Sequence, residues 1–411
     1  MNTGTDAVAL GVASARNRVQ ARRALRFVIM VGVVSLFADM TYEGARSING
    51  QFLGILGASA FWVAAIAGIG ELAGYGLRLF TGWLADRSGR YWAIVIAGFA
   101  VNLLVVPALA LADHWQVAGA LIVGERIGKG IRTPARDAML SHAGRHLGSG
   151  WAFGLHEALD QTGATLGPLL VTAMLLLRGH YHAAYAILLA PALAALLALF
   201  LACMAFPTPR DLEPVQHVPV LHSDRHFLFY LGGTSLVAAG FADYSLIAFH
   251  VHATHALSDP WIPPLYALGM VSAAASALAF GRWFDRRGLG ALLLATALSA
   301  LFAPCAFLGG PAWIALGVAL WGIGVGAHES VMRAAVSRMF APSRRASAFG
   351  VFNTVFGVAW FLGSLALGWA YEHSPWVLVA LSTGLQLAGL PLLFVACRPL
   401  SVTLSSRSPE T

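Results

Sequence analysis

The sequence predicts an all-α membrane protein with twelve transmembrane helices in two pseudo-symmetric six-helix halves. Three observations support this: an apolar composition, twelve apolar stretches of membrane-spanning length, and short motifs that recur in both halves. Hydrophobic residues make up 58% of the 411 residues and charged residues only 11%, whereas a soluble domain carries about 25% charge. The composition therefore excludes an ordinary soluble enzyme, a disordered protein and a fibrous repeat.

The twelve spans follow from the thickness of the bilayer, whose core of about 30 Å needs roughly 20 apolar residues per helix. Short connections predict that neighbouring spans are antiparallel. The spans cover about residues 25–48, 60–82, 91–112, 115–138, 150–177, 182–206, 227–251, 262–283, 289–309, 312–338, 347–371 and 375–397.

One long connection, 207–226, contains four prolines and mixed charge and predicts a cytoplasmic linker. It divides the chain into a tail at 1–24, a six-helix bundle at 25–206, a second bundle at 227–397 and a tail at 398–411. Short motifs repeat in the same order on both sides of it, among them FADM and FADY, and GWLADRSG and GRWFDRRG. Repeats of six spans are one known transporter architecture.

The net charge of +7 is interpreted as a topology signal rather than as affinity for nucleic acid. Among the basic residues, only Arg178 falls in a predicted external loop, and basic residues gather on the cytoplasmic side of membrane proteins. Both termini are therefore expected in the cytoplasm, with the chain in the cell (inner) membrane. The basic N-terminal segment shows no signal-peptide cleavage site, so the first apolar segment is expected to be a retained span.

A glycine-flanked turn with one acid and two arginines ends the second predicted span. A carboxylate there can face the N-terminus of another helix, where the macrodipole favours negative charge. A similar turn ends the eighth span, which weakens the alternative of an incidental basic loop. The two turns contain Gly82, Asp86, Arg87, Gly89 and Arg90, and Asp285 and Arg286.

On these motifs the chain resembles the major facilitator superfamily of secondary transporters, over about residues 24–398. GWLADRSGR is similar to its signature between the second and third spans, although Tyr91 replaces a second basic residue. The string GERIGKGIRTPARDAML resembles a bacterial subgroup with a GKGIR-T-x-RDA pattern. The resemblance implies alternating-access transport, a cavity lined by the first, fourth, seventh and tenth spans, and a proton-transfer role for Arg126.

Gly163, Gly167 and Pro168 in the fifth span are similar to the G-x-x-x-G-P motif of antiporters. Small residues at this spacing also let helices approach closely in any membrane protein. The motif therefore indicates either export or helix packing alone.

Ionisable side chains inside spans are costly, so each is a functional candidate. Asp39, Glu43 and Arg46 share one face of the first span, and the two carboxylates are candidates for proton coupling. Static salt bridges are the alternative for such residues. The further candidates are Glu125, Arg126, Lys129, His156, Glu157, Asp160, Asp243, His328, Glu329 and Arg333.

Several pairings are expected from the spacing of these residues. Glu125 with Lys129 and Glu329 with Arg333 are favourable i, i+4 pairs, and His156 and Asp160 can share a proton. Asp137 is expected to pair with Arg87 or Arg90 in a gate at the cytoplasmic end. Glu71 and Arg78 are expected to be structural, and the aromatic residues Phe37, Tyr42, Phe241 and Tyr244 to be packing residues, with a binding role as the alternative.

The sequence therefore predicts a monomeric, proton-coupled secondary transporter with a small-molecule substrate, protons and lipid as partners, and it favours export over import. The substrate is an anion or an amphipathic molecule. One alternative is a transition-metal or other nutrient importer, using His328 and Met332 and the histidines at an outer end, His250, His252 and His255. The other is a membrane-embedded enzyme, for which no H-E-x-x-H, G-x-S-x-G or P-loop motif is present. No cofactor, resident metal or nucleic acid is predicted.

Overall fold

The structure, a computed structural model, describes residues 3–147, 149–207, 225–287, 290–332, 335–336, 339 and 345–405. Within these residues the α-helices are α1 Thr3–Ile55, α2 Ala60–Ser88, α3 Tyr91–Ala108, α4 Trp115–Leu147, α5 Ser149–Arg178, α6 Tyr181–Ile187, α7 Leu189–Ala205, α8 Arg225–Gly240, α9 Tyr244–Ala253, α10 Ile262–Arg287, α11 Gly290–Ser299, α12 Phe302–Leu308, α13 Pro311–Ala327, α14 Arg345–His373 and α15 Pro375–Ser405.

These helices occupy twelve membrane-crossing positions, because α6 with α7, α8 with α9, and α11 with α12 each form one broken span. Ten positions are long and apolar enough to cross a membrane by length and composition. The described parts of α4 and α5 do not meet that criterion, since they carry many of the buried charges. The predicted all-α membrane fold is confirmed.

The two halves repeat one packing scheme around separate hydrophobic cores. In the first half α1 packs on α5 and α7, and α4 packs on α2 and α3; in the second half α8 packs on α14 and α15, and α13 packs on α10, α11 and α12. The halves meet where α2 lies along α14, where α5 lies along α10, and where α1 meets α9.

All three broken spans were predicted to be continuous, and prolines explain two of the breaks. Pro191 and Pro304 lack the N–H that would bond to the carbonyl four residues earlier. The sixth span therefore breaks at Leu188, and the ninth breaks between α11 and α12. The carbonyl of Ala300, which Pro304 leaves free, accepts a hydrogen bond from Thr383 Oγ1 at 3.1 Å.

The seventh span, predicted as continuous over 227–251, unwinds at 241–243. The Asp243 carboxylate caps α9 by accepting a hydrogen bond from Ser245 N at 2.9 Å. Trp321 Nε1 donates to the Ala242 carbonyl at 2.9 Å, and Ser382 Oγ donates to the Gly240 carbonyl at 2.6 Å. Irregular backbone survives at membrane depth because these partners satisfy its carbonyls.

The tenth span stops being α-helical before its predicted end at residue 338. Helix α13 ends at Ala327 and a π-helical turn, His328–Met332, follows it. Such turns occur often at functional sites. Residues 333–334, 337–338 and 340–344 of this region lie outside the described residues, as do 208–224 of the predicted linker.

Candidate functional site

An ion pair joins the two halves at the centre of the molecule. Arg46 of α1 places its Nη2 atom 2.6 Å from Oδ2 of Asp243, at the unwound point of the seventh span. The same nitrogen lies 3.4 Å from Glu71 Oε1 on α2. The side chain of Asp243 is only 4% exposed, so this pair is shielded from bulk water.

Glu71, which the sequence predicts to be structural, extends the network into α4. Its Oε1 atom lies 3.6 Å from Arg126 Nε, which also lies 3.3 Å from Glu125 Oε2. Asn102 Nδ2 donates to Glu125 Oε1 at 2.7 Å. The spacing of Glu71 from its partners along the chain gave no sign of these contacts, because each partner belongs to another helix.

Glu43 makes the second connection between the halves. Its Oε1 atom lies 3.5 Å from Lys129 Nζ on α4, and its Oε2 atom accepts a hydrogen bond from the hydroxyl of Tyr266 on α10. The expected pair of Glu125 with Lys129 is therefore wrong, since Glu125 contacts Arg126 and Asn102 and Lys129 turns towards α1. Tyr266 was missed because an isolated tyrosine in an apolar span carries no distinguishing signal.

Asp39 lies one turn before Glu43 and accepts a hydrogen bond from the Tyr42 hydroxyl. Lys129 Nζ lies 4.2 Å from the centroid of the Tyr42 ring. On the inner side of α4, Arg132 is fully buried, with its guanidinium carbon 4.3 Å from the Phe99 ring centroid. Its three side-chain nitrogens have no hydrogen-bond partner among the described residues. Cationic side chains and aromatic rings therefore lie around Asp39.

A third group joins α1, α4 and α5. His156 Nδ1 lies 3.4 Å from Asp160 Oδ2, which confirms the expected neighbourhood of these residues, and His156 Nε2 lies 2.9 Å from Ser35 Oγ. Arg136 Nη1 lies 4.0 Å from Asp160 Oδ2, and Arg136 Nη2 lies 2.9 Å from Asp137 Oδ1. Asp137 is thus bonded to its neighbour instead of to Arg87 or Arg90.

The remaining candidate of α5, Glu157, lies outside this group. Its side chain is exposed and accepts a hydrogen bond from Gln161 Nε2 at 2.9 Å. It follows His156 directly in the chain, and successive helical residues point about 100° apart, so only one of the two can face the interior.

The glycine-flanked turn after α2 ends the helix as its sequence predicts. Gly89 adopts a left-handed conformation with φ of 59°, and its N–H donates to the Ala85 carbonyl. The guanidinium of Arg87 lies 5.5 Å from the Trp83 ring centroid. In the second copy Arg286 is exposed. The side chains of Asp86 and Asp285 lie outside the described residues.

The glycine motif of α5 lies directly against α1. A Cβ atom on Gly163 would overlap the carbonyl oxygen of Leu36, and one on Gly167 would overlap that of Met40. Pro168 follows within the helix. The two glycines therefore allow α5 to approach the helix that carries Asp39 and Glu43, which is the packing alternative for this motif.

Apart from Asp243, the described residues of the second half contribute mainly aromatic rings to the site. His328, in the π-helical turn, lies 4.7 Å from Phe241 and 6.0 Å from Phe356 between ring centroids. Both ring nitrogens of His328 lack a hydrogen-bond partner in the described structure, and so does Trp360 Nε1. The side chain of Glu329 and all of Arg333 lie outside the described residues, so their pairing stays a prediction.

The histidines proposed for metal transport have other neighbours. Nδ1 of His250 lies 2.9 Å from the hydroxyl of Tyr371, and Nδ1 of His252 lies 2.7 Å from Asp259 Oδ1. Among the residues that the structure describes, no three His, Cys, Asp or Glu side chains form a group that could hold a metal ion.

Twelve membrane-crossing positions in two similar halves, joined by a buried ion pair at a broken helix, define a secondary transporter of the parallel-repeat class. A sequence model of the Major Facilitator Superfamily matches residues 27–364. The chain belongs to this superfamily, and it is a multi-pass membrane transporter rather than an enzyme.

Relatives from bacteria and archaea cover nearly the whole chain. Uncharacterized proteins of Mycobacterium tuberculosis and Mycobacterium bovis are each 40% identical over 387 residues, which is 92% of this chain and 94% of theirs. An uncharacterized MFS-type transporter of Methanocaldococcus jannaschii is 26% identical, over 92% of this chain and 97% of its own.

Solved structures share the fold at low sequence identity. A mutant of the nucleoside transporter NupG matches with a TM-score of 0.74 and 11% identity, over 90% of this chain and 99% of that one. A bacterial homologue of the human lysosomal transporter Spinster matches with a TM-score of 0.65 and 15% identity, over 94% and 99%.

Proposed function

We propose that the chain is a proton-coupled antiporter that exports a small solute by alternating access. It works as a monomer in the inner membrane, with both termini in the cytoplasm, and the bundles 25–206 and 227–397 rock against each other. The resemblance of its fourth-span sequence to the GKGIR-T-x-RDA pattern supports membership of that subgroup of the superfamily. The observation that carries the coupling proposal is the position of Glu43 between a cation of its own half and a hydroxyl of the other half.

Ionised Glu43 binds Lys129 and accepts a hydrogen bond from Tyr266, so it holds α1, α4 and α10 together. Protonation removes its negative charge and weakens the attraction to Lys129. The hydroxyl of Tyr266 then loses a charge-assisted hydrogen bond, which is about twice as strong as a neutral one. A proton on Glu43 therefore loosens one of the polar connections between the halves.

Asp39 is the proposed entry point for the proton. Among the described residues it forms a hydrogen bond with Tyr42 and has no cation within ion-pair distance, so protonating it breaks no ion pair. It lies one turn from Glu43 on the same helix face, which permits transfer between the two through water. The His156–Asp160 pair, held near Arg136, is the proposed proton path on the cytoplasmic side.

The Arg46–Asp243 pair and the turn after α2, with Gly82, Asp86, Arg87, Gly89 and Arg90, are the proposed gates. Gly82 supports this role by position, because its backbone lies close to Pro134 on α4. The second copy, with Asp285 and Arg286, and the tenth-span residues Glu329 and Arg333 are proposed to act in the equivalent places of the second half.

The decisive experiment measures flux in proteoliposomes under an imposed pH gradient across a panel of solutes, with an internal pH dye. We expect the wild-type protein to exchange solute for protons. Asp39→Asn and Glu43→Gln should keep solute exchange but lose the proton movement. Asp113→Asn is the matched control, since this aspartate is 84% exposed at the outer surface.

Two results would contradict the proposal. Flux whose pH dependence is unchanged in both variants would remove the coupling role of Asp39 and Glu43. Solute and protons moving in the same direction would replace export by antiport with import by symport.

A further inference from the structure

An aromatic cluster lies where the unwound seventh span meets the π-helical turn and α14. It consists of Phe241, His328, Phe356 and Trp360. Ring centroids of Phe356 and Trp360 lie 5.8 Å apart, and those of His328 and Trp360 lie 6.5 Å apart with nearly perpendicular planes. The cluster therefore presents aromatic faces in several orientations around one imidazole.

Three polar atoms of this cluster have no hydrogen-bond partner in the described part of the chain, namely both ring nitrogens of His328 and Nε1 of Trp360. Each of these two residues is only 8% exposed. Leaving a buried donor or acceptor unpaired costs about 1–3 kcal/mol, and such groups in native structures need an explanation. Ser364 Oγ, one turn beyond Trp360 on α14, is also buried and unpaired.

The cluster borders the other half of the molecule. The ring centroid of Tyr75 on α2 lies 6.0 Å from that of Phe356. On the same two helices, a Cβ atom on Gly357 would lie 3.0 Å from Tyr75, and one on Gly68 would lie 2.8 Å from Ser364. Glycines thus bring α2 and α14 into close contact, and separating these helices would uncover the cluster.

We propose that the cluster is the substrate site and that the substrate is a planar heteroaromatic molecule. Its ring stacks against the faces of Phe241, Phe356 and Trp360, and its polar edge satisfies His328 and Trp360. The substrate class rests on the proposed transport function, but binding is measurable without transport.

The unpaired donors and acceptors of the cluster determine which polar groups the edge of the substrate must carry. Trp360 Nε1 only donates, so the substrate must offer an acceptor there, and neutral His328 offers one donor and one acceptor. Aromatic faces alone would also suit a quaternary ammonium ion, but such an ion has no acceptor for these N–H groups. The unpaired nitrogens therefore favour a ring with nitrogen or oxygen acceptors at its edge.

The test is equilibrium dialysis of the purified full-length protein in nanodiscs, with empty nanodiscs as the reference for partition into lipid. The probes are quinoxaline and benzimidazole, which are planar with ring nitrogens, the non-planar 2-decalone, and tetraethylammonium. We expect the planar probes to bind at least tenfold more tightly than the other two.

The variants His328→Phe and Trp360→Phe keep an aromatic ring and remove the unpaired nitrogens. We expect at least a tenfold loss of affinity for quinoxaline in each. Trp369→Phe makes the same change on the same helix at a position that is 53% exposed, and it should bind as the wild-type protein does.

A second measurement does not depend on the folding of any variant at the site. In wild-type protein labelled with nitrogen-15 on its indoles, quinoxaline should shift one Nε1–H resonance strongly, and that resonance should be the one lost in Trp360→Phe.

The proposal is overturned if neither planar probe binds above empty nanodiscs, if tetraethylammonium binds more tightly than quinoxaline, or if the shifted indole is not that of Trp360. Proton-coupled flux of another solute without quinoxaline binding would overturn this inference alone. Quinoxaline binding without any proton-coupled flux would overturn the proposed coupling and leave the site intact.

Discussion

Arg46 and Asp243 connect the two halves of the transporter through a buried ion pair of 2.6 Å. Arg46 lies in the C-terminal third of α1, whereas Asp243 is the residue directly before α9, where the seventh span is unwound. The aspartate is therefore fixed by two interactions, the guanidinium of Arg46 and the amide of Ser245. Its position depends on the break in the helix.

Removing one member of this pair should destabilise the protein strongly. Asp243→Ala leaves Arg46 buried with only the more distant Glu71, and breaking a buried pair costs about 3–5 kcal/mol. We expect a clearly lower unfolding temperature for Asp243→Ala in detergent, and partial recovery in the charge-reversed double variant Arg46→Asp, Asp243→Arg. Equal unfolding temperatures for the single variant and the wild-type protein would show that the pair carries no net stability.

Gly50 should be intolerant of even one added carbon. A Cβ atom there would overlap the carbonyl oxygen of Ser245 at the contact of α1 with α9. The matched control is Gly76, on α2, where nothing lies within 4 Å of an added Cβ atom. Alanine is favoured over glycine inside a helix by up to about 1 kcal/mol, so thermal unfolding should show Gly76→Ala stabilised and Gly50→Ala destabilised. A rise in both would contradict the close approach.

The hydrogen bond from Tyr266 to Glu43 should contribute to the contact of α1 with α10. Tyr266→Phe removes the hydroxyl and leaves one carboxylate oxygen unsatisfied, which costs roughly 1–3 kcal/mol. A double-mutant cycle with Glu43→Gln, measured by thermal unfolding, should reveal coupling between the two positions. Strictly additive effects would place the two side chains in separate interactions.

Asp137 should matter little for stability. Its side chain is 47% exposed and pairs with Arg136, and exposed ion pairs contribute at most about 1 kcal/mol. We expect Asp137→Asn to unfold within a few degrees of the wild-type protein, whereas Glu125→Gln, which disturbs the buried contacts to Arg126 and Asn102, should unfold clearly earlier. A large loss of stability in Asp137→Asn would indicate a partner beyond Arg136.

Hydropathy was enough to predict the fold, because each span must satisfy the same bilayer thickness. The breaks at Leu188 and beside Ala300 follow from Pro191 and Pro304 and could have been suspected from the proline rule, although α4 and α5 continue through Pro134 and Pro168. The break at 241–243 could not. The matching motifs FADM and FADY predicted equivalent elements, yet Asp39 lies inside a continuous helix and Asp243 caps a new one.

The candidate site was predicted as a set of residues but not as a set of contacts. Sequence spacing reveals only neighbours on the same helix, such as His156 and Asp160, which the structure brings together. Lys129 instead reaches Glu43 on another helix, and Glu71 and Tyr266 entered the network through contacts of the same kind. The rotation of each helix about its own axis decides these partners, and that rotation depends on packing throughout the bundle.

The described buried charges lie mainly in the first half, while the second half supplies Asp243, the hydroxyl of Tyr266 and the aromatic rings around His328. In the proposed mechanism this division separates the proton-coupling residues from the substrate-binding residues. Substitutions in the rings around His328 would then change the proposed substrate site and leave the ionic network of α1, α4 and α5 intact. Under this proposal, substitutions in the second half alone could change which substrate the transporter binds.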